Sequence, residues 1–228
     1  MSFAGQIQAV TFDVGGTLME PHPSVGHVYA EVAGRHGLTG ISAELLNRRF
    51  AVAWRGLKDF NHTRSEWAEL VDTTFHGLTD APPSGTFFPE LYFQFARPEA
   101  WRVFEDVSPT LDALATRGLK LGVISNWDER LRPLLRQLRL YDFFDSIVVS
   151  CEVGFPKPSP AIFQHTAAKL GLPPEAILHV GDSLVMDVQG GRVTGFHAVE
   201  LCRRAGQAGP GQIKSLSEIE ALVESRRT

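Results

Sequence analysis

Residues 10–18 read VTFDVGGTL, and the fold turns on how this stretch is understood. The run Ala9-Val10-Thr11-Phe12 reads as a buried parallel strand, because such strands are covered on both faces and need not alternate polar with apolar residues. Asp13 falls where that strand ends, and Gly15, Gly16 and Thr17 then turn the chain sharply. Open α/β sheets bind ligands at the carboxyl ends of their strands. An acidic residue in this place is either a chemical group or the cap of a turn, and the rest of the chain decides which.

Working outward, residues 20–100 repeat apolar side chains at helical spacing with no strand signal. Val25, Val28, Tyr29, Val32 and Ala33 define a helix from near Ser24 to Gly37. Leu46, Phe50, Ala53, Trp54 and Leu57 define a second, and Trp67, Leu70, Val71, Thr74, Phe75 and Leu78 a third. The stretch 80–85 (DAPPSG) breaks the pattern, and one more helix covers 89–96. From Trp101 strands alternate with helices. Strands are predicted at 119–125, 146–150, 177–180 and 197–201. Helices start at Ser108-Pro109 and Ser159-Pro160, each a cap residue followed by Pro, and end at Gly118 and Gly171. Others cover 129–138, 183–193 and 215–224, and 206–211 is a glycine-rich loop. This alternation predicts an α/β fold with a Rossmann-like three-layer α/β/α core around a parallel sheet. The core takes residues 1–19 and 101–228, and residues 20–100 are a helical insertion after the first strand.

Composition excludes several classes of function. The 228 residues are 43% hydrophobic, enough for a substantial core. Net charge is −4 from 22 basic and 26 acidic residues with no long block of either sign, which argues against a nucleic-acid partner. The two cysteines, Cys151 and Cys202, form no C-x-x-C pair, so neither a disulfide scaffold nor a structural zinc site is expected. No leader-like segment and no run near the ~18 apolar residues of a membrane span is seen, so a cytoplasmic setting without a membrane partner is expected.

In a parallel sheet the residues after each strand meet at one edge. Asp13, Ser125-Asn126, Lys157 and Asp182 would gather there, with Asp187 about one helical turn beyond Asp182. Three converging carboxylates repel unless something neutralises them, and a hard oxygen-bound cation such as Mg²⁺ does so. Lys157 adds a fixed positive charge, while the Ser125 hydroxyl and the amides around Asn126 suit anionic oxygens. The assembly fits a phosphate ester attacked by a carboxylate through an aspartyl-phosphate intermediate.

Taken in order, the motifs 12–18 (FDVGGTL), 123–126 (VISN), 153–158 (VGFPKP) and 180–183 (VGDS) with Asp187 resemble the haloacid dehalogenase superfamily of Asp-nucleophile hydrolases. The resemblance covers nearly the whole chain and makes the helical insertion similar to that family's α-helical cap. It implies Asp13 as nucleophile and metal ligand, Ser125 and Lys157 as phosphoryl-binding groups, and Asp182 as a Mg²⁺ ligand. Asp187 would bind the metal directly or through water, and the main-chain carbonyl of Gly15 would be a further ligand. The substrate would be a small phosphorylated metabolite.

The departure from the family is Gly15 itself. In the family's phosphatases this position holds a second Asp that protonates the leaving oxygen and then activates water, and losing a general acid costs about 10²–10⁴-fold in rate. Three readings follow: a Mg²⁺-dependent phosphatase, a phosphate- and metal-binding protein with little turnover, and a haloacid dehalogenase, which would leave Asp182 and Asp187 without a purpose. Other polar residues read as structural. Cys151 is expected to be a small buried thiol, and His22, His27, His36, His62 and His76 surface or core residues. His179, inside a strand, is expected in the core. Arg55, Lys58 and Arg64 read as solvated helix charges, Tyr29, Trp54 and Trp67 as packing residues, and Gly190-Gly191 as a close-packing site.

Overall fold

The computed structural model describes residues 6–58, 60–203, 209 and 211–224. In chain order its strands are β1 (Ala9–Phe12), β2 (Met19–Pro21), β3 (Trp101–Val103), β4 (Lys120–Ser125), β5 (Ser146–Val149), β6 (Ile177–Gly181), β7 (His197–Leu201) and β8 (Gln212–Ile213). Among the described residues, six of them form one parallel sheet in the order β5-β4-β1-β6-β7-β8. The chain runs outward from β1 on one side through β4 and β5 and on the other through β6 and β7. β1 is therefore the switch point, where ligand crevices form in this architecture. Its four residues are all buried, as a central strand covered on both faces requires.

The chain divides into two compact units, residues 1–19 with 103–228, and residues 20–102. In the first unit, helices at Val107–Thr116, Leu131–Gln137 and Pro160–Leu170 cover the sheet. Pro160–Leu170 buries Ile162, Phe163, Thr166, Ala167 and Leu170 and stops at Gly171, whose left-handed backbone suits glycine. Gly190 packs against Phe163, as its small size permits.

Several expected boundaries shift for local reasons. The helix expected from Ser108 starts at Val107 instead, because Asp106 at the cap position turns its carboxylate to Arg203, Ser215 and the Leu216 N–H. The helix expected from Glu129 starts at Leu131, after Asp128 has folded onto the Arg130 N–H and guanidinium. The strand expected to end at Ser150 ends at Val149, and Ser150–Val153 forms one helical turn closed by left-handed Gly154. Residues expected as an α-helix from Ser183 form a π-helix at Leu184–Gln189 followed by Gly190–Arg192. The C-terminal segment begins at Ser215 with a capping box and continues as the helix Ile219–Glu224. Of the glycine-rich loop at 206–211, residues 206–208 and 210 lie outside the described residues.

The second unit contains helices Val25–Arg35, Ala43–Gly56, Arg64–Phe75 and Phe88–Gln94. Ser24, Ser42 and Thr63 cap the first three, Thr63 in a capping box with Glu66. Tyr29 stacks on Phe75, and Trp54 lies between Phe50 and Trp67, so the aromatic residues pack as the sequence suggests. The expectation of no strand signal near this block needs correction. β2 and β3, where the chain leaves and returns, pair as a two-stranded ribbon. Three residues per strand are too few for periodicity to reveal. Among the described residues, no helix is long and apolar enough to cross a membrane.

Candidate active site

Asp13 follows β1 and is buried, its N–H donating to the Val180 carbonyl of the neighbouring strand. Ser125, the last residue of β4, donates its hydroxyl to Asp13 Oδ1 at 3.1 Å. Lys157, in the loop beyond Ser150–Val153, donates Nζ to the same oxygen at 2.7 Å and to Asp187 Oδ1 at 2.5 Å. Its side chain is 3% exposed, so these interactions operate in a low dielectric and are strong. Among the described residues, Asp13, Asp182 and Asp187 each place a carboxylate oxygen within 4.8 Å of the others. Asp13, Ser125, Lys157, Asp182 and Asp187 are thus brought together at one sheet edge from segments far apart in the chain.

Two glycines make this convergence possible. A Cβ on Gly16 would stand 2.4 Å from Asp182 Oδ2, and one on Gly181 would stand 2.1 Å from Asp187 Cγ. Any side chain at either position would displace a carboxylate. Gly15 differs, because a Cβ there would make an ordinary 3.4 Å contact with the indole of Trp127.

Electrostatics follow from the crowding. Burial pushes Lys157 down, but the charges of Asp13 and Asp187 outweigh it and hold the ammonium protonated. Burial raises Asp187, yet the Lys157 charge and the hydrogen bond from His179 hold it below the usual carboxylate range. Asp13 is raised, by burial first and by the Asp187 charge, against the pull of Lys157. Asp182 is exposed as a residue, but desolvation of its carboxylate, with the Asp13 and Asp187 charges, lifts its pKa to about 7. One ammonium therefore does not neutralise three carboxylates. The remaining negative charge and the all-oxygen donor set fit a hard divalent cation.

The expectation for Asn126 rests on the amides around it, and its side chain has a separate task. Its side chain is committed to the main chain of Lys157, donating Nδ2–H to the Lys157 carbonyl at 2.9 Å and accepting the Lys157 N–H at 2.6 Å. The side chain holds the lysine loop instead of facing an anion. Cys151 is also corrected: it is exposed, and its thiol is pushed up to about 11 by desolvation and by Glu152, Asp128 and Glu129. It is a protonated, unreactive thiol at neutral pH. Arg55, Lys58 and Arg64 belong to the helical unit, where Arg64 lies over the Tyr92 ring.

Sequence reading missed the part played by His179. It is in the core as expected, but its Nε2 lies 3.1 Å from Asp187 Oδ1 and its Nδ1 2.9 Å from Thr11 Oγ1. Thr11 and His179 are register partners on β1 and β6. Two polar residues interrupting neighbouring apolar strands were the available signal.

A family model described as haloacid dehalogenase-like hydrolase matches residues 7–195. Haloacid dehalogenase-like hydrolase domain-containing protein 3 of Homo sapiens is 36% identical over 204 residues, covering 85% of this chain and 81% of its own. Glyceraldehyde 3-phosphate phosphatase of Methanopyrus kandleri is 36% identical over 106 residues, covering 44% of this chain and 43% of its own. The crystal structure of a HAD phosphatase from Thermococcus onnurineus is similar at a TM-score of 0.70 and 27% identity, over 97% of this chain and 100% of that one.

Proposed function

The chain belongs to the haloacid dehalogenase-like hydrolases, and from that premise we propose that it is a Mg²⁺-dependent phosphatase acting on a small phosphorylated metabolite in the cytoplasm. The observation that carries this reading is the Lys157 ammonium held 2.7 Å from Asp13 and 2.5 Å from Asp187, with Asp182 alongside. Phosphatase-named relatives support it. A haloacid dehalogenase, whose carbon-centred chemistry needs no cation, leaves the Asp182 carboxylate unused, while Asp187 would still hold Lys157.

Asp13 and Asp182, with the Gly15 carbonyl, are the groups proposed to hold the cation. Asp187, whose Oδ1 serves Lys157 and His179 while Oδ2 accepts the Ser183 N–H, is proposed to reach it through water. The cation, when bound, neutralises these carboxylates and polarises a phosphoryl oxygen. Asp13 attacks phosphorus, and Lys157 and Ser125 take up the charge on the phosphoryl oxygens. Asp187 fixes the lysine, and Asn126 fixes its loop. Water then attacks the aspartyl-phosphate, releasing phosphate and regenerating Asp13. The helical unit is proposed as the cap that selects the substrate.

The test is hydrolysis of an aryl phosphate with and without Mg²⁺. Activity that needs the cation and disappears in Asp13→Asn supports the reading. Binding of Mg²⁺ and inorganic phosphate without Asp13-dependent turnover favours the binding-protein reading, for which Gly15 is the specific observation. Metal-free halide release from haloacids overturns both.

A further inference from the structure

A circuit of contacts leaves the chain at Asp13 and returns to it at Thr11, two residues earlier. Asp13 Oδ1 takes the Lys157 ammonium at 2.7 Å, and the same ammonium reaches Asp187 Oδ1 at 2.5 Å. That oxygen also meets His179 Nε2 at 3.1 Å, and His179 Nδ1 meets Thr11 Oγ1 at 2.9 Å. The imidazole is fully buried, and the Phe163 ring meets it edge to face at 5.3 Å between centroids. The proposed reaction uses every member of this circuit except His179 and Thr11.

What His179 gives Asp187 is direction. The Asp187 carboxylate accepts from Lys157 and His179 on Oδ1 and from the Ser183 N–H on Oδ2 at 3.0 Å. A carboxylate paired with an ammonium only accepts, so Nε2 donates whether the ring is neutral or charged. Without that donor Oδ1 keeps the lysine alone, and only the Ser183 N–H resists a turn of the carboxylate. An ammonium has three N–H groups at fixed angles. Two of them point at Asp13 and Asp187, which sets where the third points. A phosphoryl group attacked by Asp13 needs that third donor aligned with its developing charge, and preorganised donors of this kind stabilise such transition states strongly.

Resting on the phosphatase reading above, we infer that His179 is a positioning residue for phosphoryl transfer. By clamping Asp187 Oδ1 it aims the Lys157 ammonium at the phosphoryl oxygen, although its own ring is fully buried and out of a substrate's reach. Thr11 holds the other ring nitrogen and so fixes the tilt of the imidazole. Loss of the clamp is felt in the transition state more than in the ground state. A misdirected ammonium still attracts a phosphate dianion, but it no longer meets the charge that develops during transfer.

The experiment measures kcat and KM for an aryl phosphate in the natural protein, His179→Leu, His179→Asn, His179→Gln and Leu170→Ala, each below its melting temperature. The amide nitrogen of glutamine stands as many bonds from the backbone as Nε2, and that of asparagine as many as Nδ1. Glutamine therefore restores the donor to Asp187, while asparagine restores only the contact with Thr11. We expect kcat to fall about 10–100-fold in His179→Leu and His179→Asn with KM little changed, and to recover most of the way in His179→Gln. Leu170→Ala, which opens a cavity among buried residues of Pro160–Leu170, should lower the melting temperature and leave kcat as it is. A readout independent of turnover is the magnetic resonance signal of the Lys157 ammonium in protein carrying isotope-labelled lysine, assigned by its loss in Lys157→Ala. It should move in His179→Leu and His179→Asn and return close to its natural position in His179→Gln. Asp13-dependent hydrolysis whose kcat is unchanged in His179→Leu, or falls equally in His179→Asn and His179→Gln, overturns the inference while the phosphatase reading stands. No Asp13-dependent hydrolysis by the natural protein overturns the phosphatase reading and the catalytic role of His179 with it. An unmoved lysine signal in His179→Leu overturns the positioning itself.

Discussion

His179 Nε2 lies 3.1 Å from Asp187 Oδ1, the same oxygen that receives the Lys157 ammonium at 2.5 Å. The protonation pattern follows from the partners. Asp187 is held ionised and can only accept, so Nε2 carries the hydrogen. Burial keeps the imidazole neutral by lowering its pKa, so Nδ1 accepts from the Thr11 hydroxyl. A chain of contacts thus runs from β1 through β6 to the lysine beside the nucleophile.

Replacing His179 by Leu should leave Thr11 and part of Asp187 without a buried partner and cost about 1–3 kcal/mol of stability. Asparagine, which still offers a donor, should cost less. The pH dependence has a defined sign. Because the folded pKa lies below 6.5, the unfolded chain takes up a proton first as the pH falls, and stability drops through that value. Urea unfolding between about pH 8 and pH 5 should show the natural protein losing stability relative to His179→Asn as the pH falls, the other titrating groups being common to both. Parallel pH profiles for the two would remove the buried neutral histidine from the account.

Asp182 carries the opposite sign. Its pKa is raised to about 7, so without a cation its contribution to stability is present below 3.8 and lost as pH rises through 7. At pH near 8 in chelator, Asp182→Asn should melt a few degrees above the natural protein. Added Mg²⁺ should raise the melting temperature of the natural protein and leave the variant nearly unmoved. Equal stabilisation of both by Mg²⁺ would exclude Asp182 as a ligand.

What could be read from the chain and what could not separate along physical lines. Val10, Phe12, Val123 and Val180 lie in apolar runs short enough to be strands, and Asp13, Ser125 and Asp182 end those runs or lie one or two residues past them. Topology then brings these polar groups to one edge. The site was legible because strand position and chemistry coincide. The part played by Asp106 could not be read, because its partners, Arg203 and Ser215, lie about a hundred residues away and no local pattern announces them. The side-chain task of Asn126 was hidden for a similar reason. An amide beside a serine at a strand end looks anion-directed until the loop that carries Lys157 is in place. The π-helix at Leu184–Gln189 has the same apolar spacing as an α-helix and differs only in its hydrogen bonds.

Gly181→Ala tests the close approach beneath Asp187. An added Cβ would sit 2.1 Å from Asp187 Cγ, with main chain and strand pairing leaving little room to retreat. Overpacking of this kind costs about 1–3 kcal/mol. Because the atom displaced is a carboxylate that holds Lys157, aryl phosphate turnover should fall further than stability alone explains. A crystal structure or melting curve indistinguishable from the natural protein's would contradict the geometry.

Arg203 bonds the Thr17 carbonyl at 2.7 Å, pairs with Asp106 at 2.9 Å and lies over the Phe104 ring. It thereby ties the turn after Asp13 to the segment after β3. Burial raises Asp106, but hydrogen bonds from Arg203, Ser215 and Leu216 hold it low. Arg203→Ala should destabilise the protein by about 2 kcal/mol, since it leaves a partly buried carboxylate without its cation. Arg203→Lys should recover only part of this, because an ammonium cannot reproduce the forked contact with carboxylate and carbonyl. Full recovery by lysine would mean that charge alone matters there.

Asn126 decides between two ways of serving the same reaction. If it acts by holding the Lys157 main chain, removing it matters only while Lys157 has a charge to place. Asn126→Ala should then lower aryl phosphate kcat/KM about tenfold, chiefly through weaker binding of inorganic phosphate and substrate. On a Lys157→Ala background the same change should do almost nothing, because the group being positioned is gone. Direct contact of the Asn126 side chain with the phosphoryl group predicts the reverse, two losses that add. The reciprocal bonds of 2.9 and 2.6 Å use both ends of the amide on Lys157, so the non-additive outcome is the one expected. Steady-state kinetics of the two single variants and the double variant, with phosphate inhibition measured on each, would settle it.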